Sequence, residues 1–199
     1  MKGVRFIKRV ALVVFMAFNI LSVSAQVDVV GVDVRGDILV RVVGKHSDYI
    51  VIDAYGEVVD ISSRETKIKH YPDFFNYNAC KISHFGDTTI DYHSDMFGYE
   101  AGKIKKIGNI TFKYHSDFWD YEAGKIARIG NVKIEYYSWS DDRGKVKSIG
   151  SERFTYSFMK NAYEGLSSGN LYFEQNGIEF EIMPSKIDPR MRNRFNHRR

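Results

Sequence analysis

The chain has 199 residues, of which 44% are hydrophobic and 15% aromatic, with 29 Lys and Arg against 25 Asp and Glu. Ten of the basic residues but only one acidic residue fall in residues 1–25 and 186–199, so the part between them is mildly acidic. This balance argues against a nucleic-acid-binding domain, whose folded face is positively charged, and a single cysteine excludes an internal disulfide.

Residues 1–25 have the pattern of an export signal. A cationic start precedes an apolar run over residues 10–18, which is shorter than the roughly 20 residues that a membrane-spanning helix needs. Small residues before Gln26 suit a signal peptidase, so we predict cleavage there. The mature chain would then be periplasmic or secreted and would not span a membrane. An uncleaved anchor is the alternative.

Four short apolar stretches follow the predicted cleavage point, at residues 27–34, 38–43, 49–54 and 58–61. None has the length or the period of an amphipathic helix, so each is typical of a β-strand. A sheet with one apolar face needs a covering layer. We expect these stretches, together with residues 171–173 and 178–183, to form that layer.

The middle of the chain repeats itself with a period of about 22 residues. The sequence KIKKIGN that begins at Lys103 returns as KIARIGN at Lys125, and less regular copies flank both. Gly followed by Asn, Asp or Ser between apolar stretches predicts a two-residue hairpin, because Gly accepts a positive φ at the first turn position. The predicted turns are Gly86-Asp87, Gly108-Asn109, Gly130-Asn131 and Gly150-Ser151.

The strand after each turn alternates between apolar and polar residues, which indicates a sheet with one buried face. Residues at equivalent positions should then form rows across the sheet: Ile90, Phe112, Ile134 and Phe154 in one row, and Tyr92, Tyr114, Tyr136 and Tyr156 beside it. The strand before each turn alternates less well, because Ile104 and Ile107 are three residues apart. Either a β-bulge or burial of both faces explains that spacing.

These patterns predict an all-β fold, an antiparallel meander of repeated hairpins that is closed as a sandwich or a rolled sheet. We expect a single domain over residues 26–185 and a basic, disordered tail over residues 186–199. Residues 158–166 are the stretch that best fits a short helix. Cys80 lies between apolar neighbours and is expected to be a small buried residue of a strand.

The repeat also resembles a known family. Over residues 81–156, a Tyr is followed after a linker by Gly-Lys-Ile or Gly-Lys-Val, by another Gly, and by a strand that ends in Tyr. This pattern resembles the YD repeats of Rhs-type surface proteins. The resemblance implies stacked hairpins and an extracytoplasmic setting, and it implies no active site. The chain departs from the pattern because it lacks the Tyr-Asp dipeptide and has too few copies to enclose a cargo.

The long connections between hairpins should gather at one edge of the sheet, opposite the tight turns. Loops on a rigid sheet are where binding usually occurs. The candidate ligand-binding residues are His93, Asp95, Tyr99, His115, Asp117, Trp119, Tyr121 and Trp139. The opposing interpretation is that Phe97, Phe118 and Trp119 fold over the sheet edge and cap the core.

The tripeptide His-Ser-Asp occurs three times, at residues 46–48, 93–95 and 115–117. It suggests a hydrolytic triad, but three consecutive residues of an extended segment point in alternating directions and do not converge on one reacting atom. A structural role, with Ser and Asp bonded to backbone amides, is therefore favoured. A weaker alternative is a zinc site with the ligands His93, His115, Asp95 and Asp117. No cofactor is predicted.

The sequence thus predicts an exported, non-enzymatic binding or structural protein that presents its loops to a glycan, a peptide or an envelope protein. A small metal-dependent or hydrolytic enzyme that uses the His-Ser-Asp loops is the alternative. In a third hypothesis, an exposed sheet edge adds strands to a partner. The sequence leaves the oligomeric state open.

Overall fold

The structure, a computed structural model, describes residues 26–33, 36–44, 48–73, 77–94, 98–157, 162–166, 172–175 and 178–182. The predicted signal, the basic tail, Asp95 and Phe97 lie outside these residues. The described residues form sixteen β-strands and no helix, so they include no helix long and apolar enough to cross a membrane. In chain order the strands are β1 (Gln26–Val32), β2 (Ile38–Val43), β3 (Tyr49–Asp53), β4 (Val58–Ser62), β5 (Ile68–His70), β6 (Ile82–Phe85), β7 (Thr88–Tyr92), β8 (Ile104–Ile107), β9 (Ile110–Tyr114), β10 (Ile126–Ile129), β11 (Val132–Tyr136), β12 (Val146–Ile149), β13 (Glu152–Ser157), β14 (Ala162–Leu166), β15 (Tyr172–Gln175) and β16 (Ile178–Ile182).

The strands form two sheets. The six-stranded sheet has the order β15-β16-β1-β2-β3-β4, with β1 and β16 parallel and the other pairs antiparallel. The ten-stranded sheet contains β5 to β14 in strict chain order, each antiparallel to the next. This second sheet is the predicted meander of repeated hairpins, and the all-β prediction is confirmed.

The two sheets share one apolar core. It joins Val40, Ile50 and Ile52 of the six-stranded sheet to the predicted row of the ten-stranded sheet. In that row Ile90, Phe112, Ile134 and Phe154 are at most 1% exposed. The N-terminal strands therefore cover the repeats as expected, and the two facing sheets form a sandwich, which is one of the two predicted closures.

The predicted hairpin turns are present. Gly86, Gly108, Gly130 and Gly150 have φ values of +63°, +54°, +56° and +56°. Ile107 pairs with Ile110 across Gly108-Asn109, which leaves two residues in the turn. Only Cys80 and Ser140 have a positive φ among the described non-glycine residues. A positive φ at the first turn residue alone is the requirement of a type II′ turn.

A β-bulge explains the irregular strand before each turn. Asp91 pairs with Lys106 but Tyr92 pairs with Ile104, so Lys105 is an extra residue. The extra residue turns Ile104 and Ile107 to the same buried face. The same register shift recurs in each strand pair of the ten-stranded sheet that is not joined by a two-residue turn. The extra residues are Ser83, Lys105, Ala127, Lys147 and Glu164.

The expectation of a short helix over residues 158–166 is wrong for its described part. Residues 162–166 form strand β14, which pairs with β13 in the bulged register of the repeats. The pairing satisfies the backbone groups along the outer side of β13. Strand pairing therefore overrides the weak local preference for a helix.

The prediction for Cys80 is also wrong. Cys80 is exposed and has a φ of +60°, so it is not a buried strand residue. It stands directly before Lys81, just as Gly102 stands before Lys103 and Gly124 before Lys125. The backbone there must take the left-handed conformation whatever the side chain is.

Candidate functional site

Four long connections form one edge of the ten-stranded sheet, which we call the loop edge. They are the first loop (residues 71–81), the second loop (93–103), the third loop (115–125) and the fourth loop (137–145). In an antiparallel meander successive connections alternate between edges, so these loops lie opposite the tight turns. The sequence analysis missed the first loop, because Tyr71, Asn78 and Cys80 replace the His, Glu and Gly of the next two loops.

Two backbone hydrogen bonds close the second, third and fourth loops, and the first loop shares one of them, from the amide of Tyr71 to the carbonyl of Lys81. In the third loop, the amide of His115 donates to the carbonyl of Lys125 at 2.8 Å and the amide of Gly124 donates to the carbonyl of His115 at 3.1 Å. The second loop repeats both bonds between His93, Lys103 and Gly102 at 2.9 and 3.0 Å. The base of each loop is therefore as regular as the sheet that carries it.

A row of lysines links each loop to the next. Lys103 Nζ donates to the carbonyl of Gly124 at 2.7 Å, and Lys125 Nζ donates to the carbonyl of Gly144 at 2.7 Å. Lys81 makes the equivalent bond to Gly102. Burial lowers the pKa of Lys103 and Lys125, against the opposing effect of nearby carboxylates. These ammonium groups are internal clamps between loops.

Each clamp lysine lies over the ring of a tyrosine from the predicted second row, and so does Lys145, which donates a hydrogen bond to Asp142 of its own loop at 2.8 Å. The distances from Nζ to the ring centroid are 5.2, 5.1, 5.0 and 4.9 Å for the pairs Lys81/Tyr92, Lys103/Tyr114, Lys125/Tyr136 and Lys145/Tyr156. These are cation–π distances. The Tyr114 hydroxyl donates to the carbonyl of Ile104 at 2.7 Å, and the other three tyrosines repeat this bond. Burial raises the pKa of Tyr92, Tyr114 and Tyr136, which keeps these phenols neutral.

The histidines of the second and third loops belong to a further column. Tyr71, His93, His115 and Tyr137 hold equivalent positions, and each packs edge-to-face on the next tyrosine of the row, with centroids 5.7 to 6.2 Å apart. Each also reaches a backbone carbonyl. His93 Nε2 is 3.4 Å from the oxygen of Phe112, and the Tyr137 hydroxyl donates to Phe154 at 2.7 Å. Histidine and tyrosine thus serve the same packing role.

Each of the two histidines faces a glutamate of its own loop. The Nδ1 atom lies 3.5 Å from Oε2 in the pair His93/Glu100 and 3.4 Å in the pair His115/Glu122. In the first loop, Tyr71 takes the place of the histidine and Asn78 takes the place of the glutamate. Both nitrogens of each imidazole therefore have acceptors within the protein, and a metal ion would have to displace them. Among the described residues, no group of three or more His, Cys, Asp or Glu is placed to hold a metal ion.

The remaining His-Ser-Asp copy is described only at Asp48. This carboxylate is buried and accepts hydrogen bonds from the amides of Arg64, Glu65 and Thr66 at 2.9, 2.9 and 2.6 Å. Burial alone would raise the pKa of Asp48, but the three amides outweigh it and lower the pKa to about 2. Asp48 thereby fixes the connection from β4 to β5, which is a structural role.

The third and fourth loops expose large aromatic side chains. Phe118, Trp119 and Trp139 are 77%, 54% and 76% exposed. The Phe118 and Trp119 rings are perpendicular with centroids 4.7 Å apart, and Trp119 and Tyr121 are 6.5 Å apart. Phe118 and Trp119 therefore do not cap the core, whereas Tyr99 and Tyr121 pack partly against it.

Two contacts join these aromatic loops to their neighbours. An ion pair between Arg143 and Asp120 joins the fourth loop to the third. From the other sheet, the carbonyl of Ala54 accepts a hydrogen bond from the amide of Ile126 at 2.7 Å. This bond brings the neighbouring Tyr55, which is 46% exposed, to the loop edge. The sequence offers no local signal for Tyr55, because only the packing of the sheets places it there.

The structure thus brings most of the predicted site residues together on three consecutive loops. His115, the exposed Asp117, Trp119 and Tyr121 share the third loop; His93 and Tyr99 lie on the second and Trp139 on the fourth. No protein-family model matches this chain, and neither a curated protein nor a solved structure shows significant similarity to it.

Proposed function

We propose that this chain is an exported, non-enzymatic binding protein that uses its loop edge to hold an extracytoplasmic ligand. The supporting observation is the exposure of Phe118, Trp119 and Trp139 on loops whose bases are fixed by the sheet. Aromatic side chains are large and amphipathic, and they dominate the energetics of binding surfaces. Exposed rings on neighbouring loops are therefore best explained by a ligand that covers them.

The fixed loops favour binding for an entropic reason. Ordering a mobile loop on association costs free energy that a preorganised loop does not lose. Here Lys103, Lys125 and the Asp120–Arg143 ion pair hold the loops to one another. The sheet therefore presents the aromatic side chains on a framework that is already ordered.

The enzymatic alternative has less support. A hydrolytic base must reach a nucleophile and a substrate, but the imidazoles of His93 and His115 contact Glu100, Glu122 and backbone carbonyls. The export part of the proposal depends on the sequence pattern of residues 1–25.

A binding screen tests the proposal. Residues 26–199 would be tested against panels of glycans and peptides, together with the variants Trp119→Ala and Trp139→Ala. We expect at least one ligand whose affinity falls about tenfold or more in each variant, as for the central residues of other binding surfaces. Lys113→Ala is the control, because Lys113 is exposed on strand β9 and belongs to none of the loops. Unchanged binding in both Trp variants, or no ligand in either panel, would contradict the proposal.

A further inference from the structure

We infer that the ligand is a linear, uncharged glycan that lies along the loop edge and contacts successive loops with successive repeating units. This inference rests on the proposed binding function and names the class of its ligand.

The spacing of the loops is the first reason. The third and fourth loops follow β9 and β11, which are separated by one strand, so the loops are about 10 Å apart. The clamp geometry repeats along the sheet, with lysine-to-ring distances that change only from 5.2 to 4.9 Å. A ligand that contacts equivalent positions of successive loops is itself periodic. In an extended β-1,4-linked glycan, alternate sugars present the same face, and two sugars span a comparable distance.

The chemistry of the exposed groups is the second reason. A sugar has an apolar C–H face and a rim of hydroxyl groups, each of which donates and accepts hydrogen bonds. The loop edge offers both complements: the rings of Trp119 and Trp139, and the exposed carboxylates of Asp117 and Asp141. A peptide that binds by adding a strand needs an open strand edge, and a proline-rich peptide needs a groove lined by aromatic rings. Loop tips present no such edge.

The charge of the third and fourth loops indicates whether the glycan is neutral or anionic. Arg143 is paired with Asp120, and Lys103 and Lys125 are engaged with the carbonyls of Gly124 and Gly144. The bonds to carbonyls leave the charges of Lys103 and Lys125 in place. The third and fourth loops nevertheless carry five carboxylates, including the exposed Asp117 and Asp141, against three cations of their own, and Lys103 brings the cations only to four, so this surface is net acidic. An anionic polysaccharide would be repelled from this surface, while a neutral glycan would not.

Calorimetry with a length series tests the inference. The probes are cello-oligosaccharides and N-acetylchito-oligosaccharides of one to six sugars, with oligogalacturonates as the anionic comparison and the mature chain as receptor. We expect one neutral series to bind with an affinity that rises at least tenfold between two and four sugars, because the second loop contact is then intramolecular. Trp119→Ala and Trp139→Ala should each bring the four-sugar affinity down to about the two-sugar level, while Lys113→Ala should not.

The other outcomes separate this inference from the proposed function. Trp-dependent binding that is equal for two and four or more sugars would overturn the inference and leave the binding function standing. Trp-dependent binding of peptides but of no glycan would also overturn the inference and leave the binding function standing. Trp-dependent binding of oligogalacturonates as tight as that of the neutral series would have the same consequence. Failure of every glycan and peptide to bind would overturn both.

Discussion

The ammonium group of Lys103 lies 5.1 Å from the centroid of the Tyr114 ring. The same ammonium group donates a hydrogen bond to Gly124 in the next loop, 2.7 Å away. Each repeat thus holds its neighbour through a cation that is sandwiched between a ring and a carbonyl. The loop edge consists of linked units, and changes to the linking atoms should alter the stability of the whole sheet.

We expect Lys103→Met to lower the free energy of unfolding by about 2 kcal/mol, because it removes a cation–π contact and a charged hydrogen bond while keeping the apolar stem. Urea unfolding followed by circular dichroism measures this. Lys113→Met, on the exposed face of the adjacent strand, should change the value by less than about 0.5 kcal/mol. Equal effects of the two substitutions would show that the clamp does not contribute to stability.

The residue before each clamp lysine has a positive φ, so an alanine in place of glycine should destabilise the protein and a glycine in place of cysteine should stabilise it. Gly124 has a φ of +67°, and a Cβ atom there would lie 2.5 Å from Lys103 Nζ. Gly124→Ala should therefore destabilise the protein by about 2 kcal/mol through backbone strain and displacement of the clamp. Thermal unfolding would report this as a lower midpoint.

Cys80 holds the equivalent position of the first loop with a φ of +60°, and among the described residues no lysine of an earlier repeat binds its carbonyl. Cys80→Gly should relieve the left-handed strain and stabilise the protein by about 1 kcal/mol. Cys80→Ser is the control for loss of the thiol, and it should have little effect. A destabilising Cys80→Gly would mean that the thiol makes a contact that outweighs the strain.

The interchange of histidine and tyrosine in one column gives a third prediction. His115 lies beside Glu122, whereas Tyr71 of the first loop is accompanied by Asn78. The double variant His115→Tyr/Glu122→Asn should therefore cost less than about 0.5 kcal/mol, while His115→Ala should cost about 1.5 kcal/mol through the lost ring contact and hydrogen bond. His115→Tyr alone leaves Glu122 without its imidazole partner. Its loss of unfolding free energy should therefore lie between those of the double variant and of His115→Ala. A double variant worse than His115→Ala would contradict the equivalence; urea unfolding measures all three.

Local sequence signals were sufficient for the regular part of this fold. Gly108 at a hairpin turn and the row from Ile90 to Phe154 follow from turn chemistry and period-two burial, which depend on residues close in the chain. The bulge at Lys105 could not be chosen over two-sided burial, because both give the same spacing of Ile104 and Ile107. The register of strand pairing distinguishes a bulge from two-sided burial, and this register depends on residues that are not neighbours in the sequence.

The candidate site shows the same limit. The exposed aromatic residues were found because Trp119 and Trp139 recur in long, polar loops. A structural role was favoured for the His-Ser-Asp segments, but the packing of the His93 ring could not be predicted, because its acceptor is the carbonyl of Phe112 in another repeat. The first loop was missed because repetition was sought in residue identity, whereas the structure conserves backbone geometry at Cys80. Tyr55 reaches the loop edge only through contact between the sheets.

Acid should weaken the hydrogen bonds by which Asp48 holds the connection between β4 of one sheet and β5 of the other. Its pKa is about 2 in the folded protein and about 3.9 in an unfolded chain. A carboxylate with a lowered pKa stabilises the fold above its unfolded value, and this contribution is lost as the pH falls through the folded value. The contribution of Asp48 is therefore complete above about pH 4 and disappears between about pH 4 and pH 2.

Asp48→Asn removes the charge that the amides of Arg64, Glu65 and Thr66 bind. We expect it to lower the free energy of unfolding by about 1.5–3 kcal/mol at neutral pH, the range for hydrogen bonds to charged groups. Urea unfolding at intervals from pH 7 to pH 2 should show a constant difference from the unmodified chain down to about pH 4, and a difference that shrinks below it. Asp73→Asn, at an exposed carboxylate, is the control and should change the neutral-pH value by less than about 0.5 kcal/mol. A difference that stays constant down to pH 2 would mean that the amides stabilise the side chain by shape and neutral hydrogen bonding, and that its charge does not contribute.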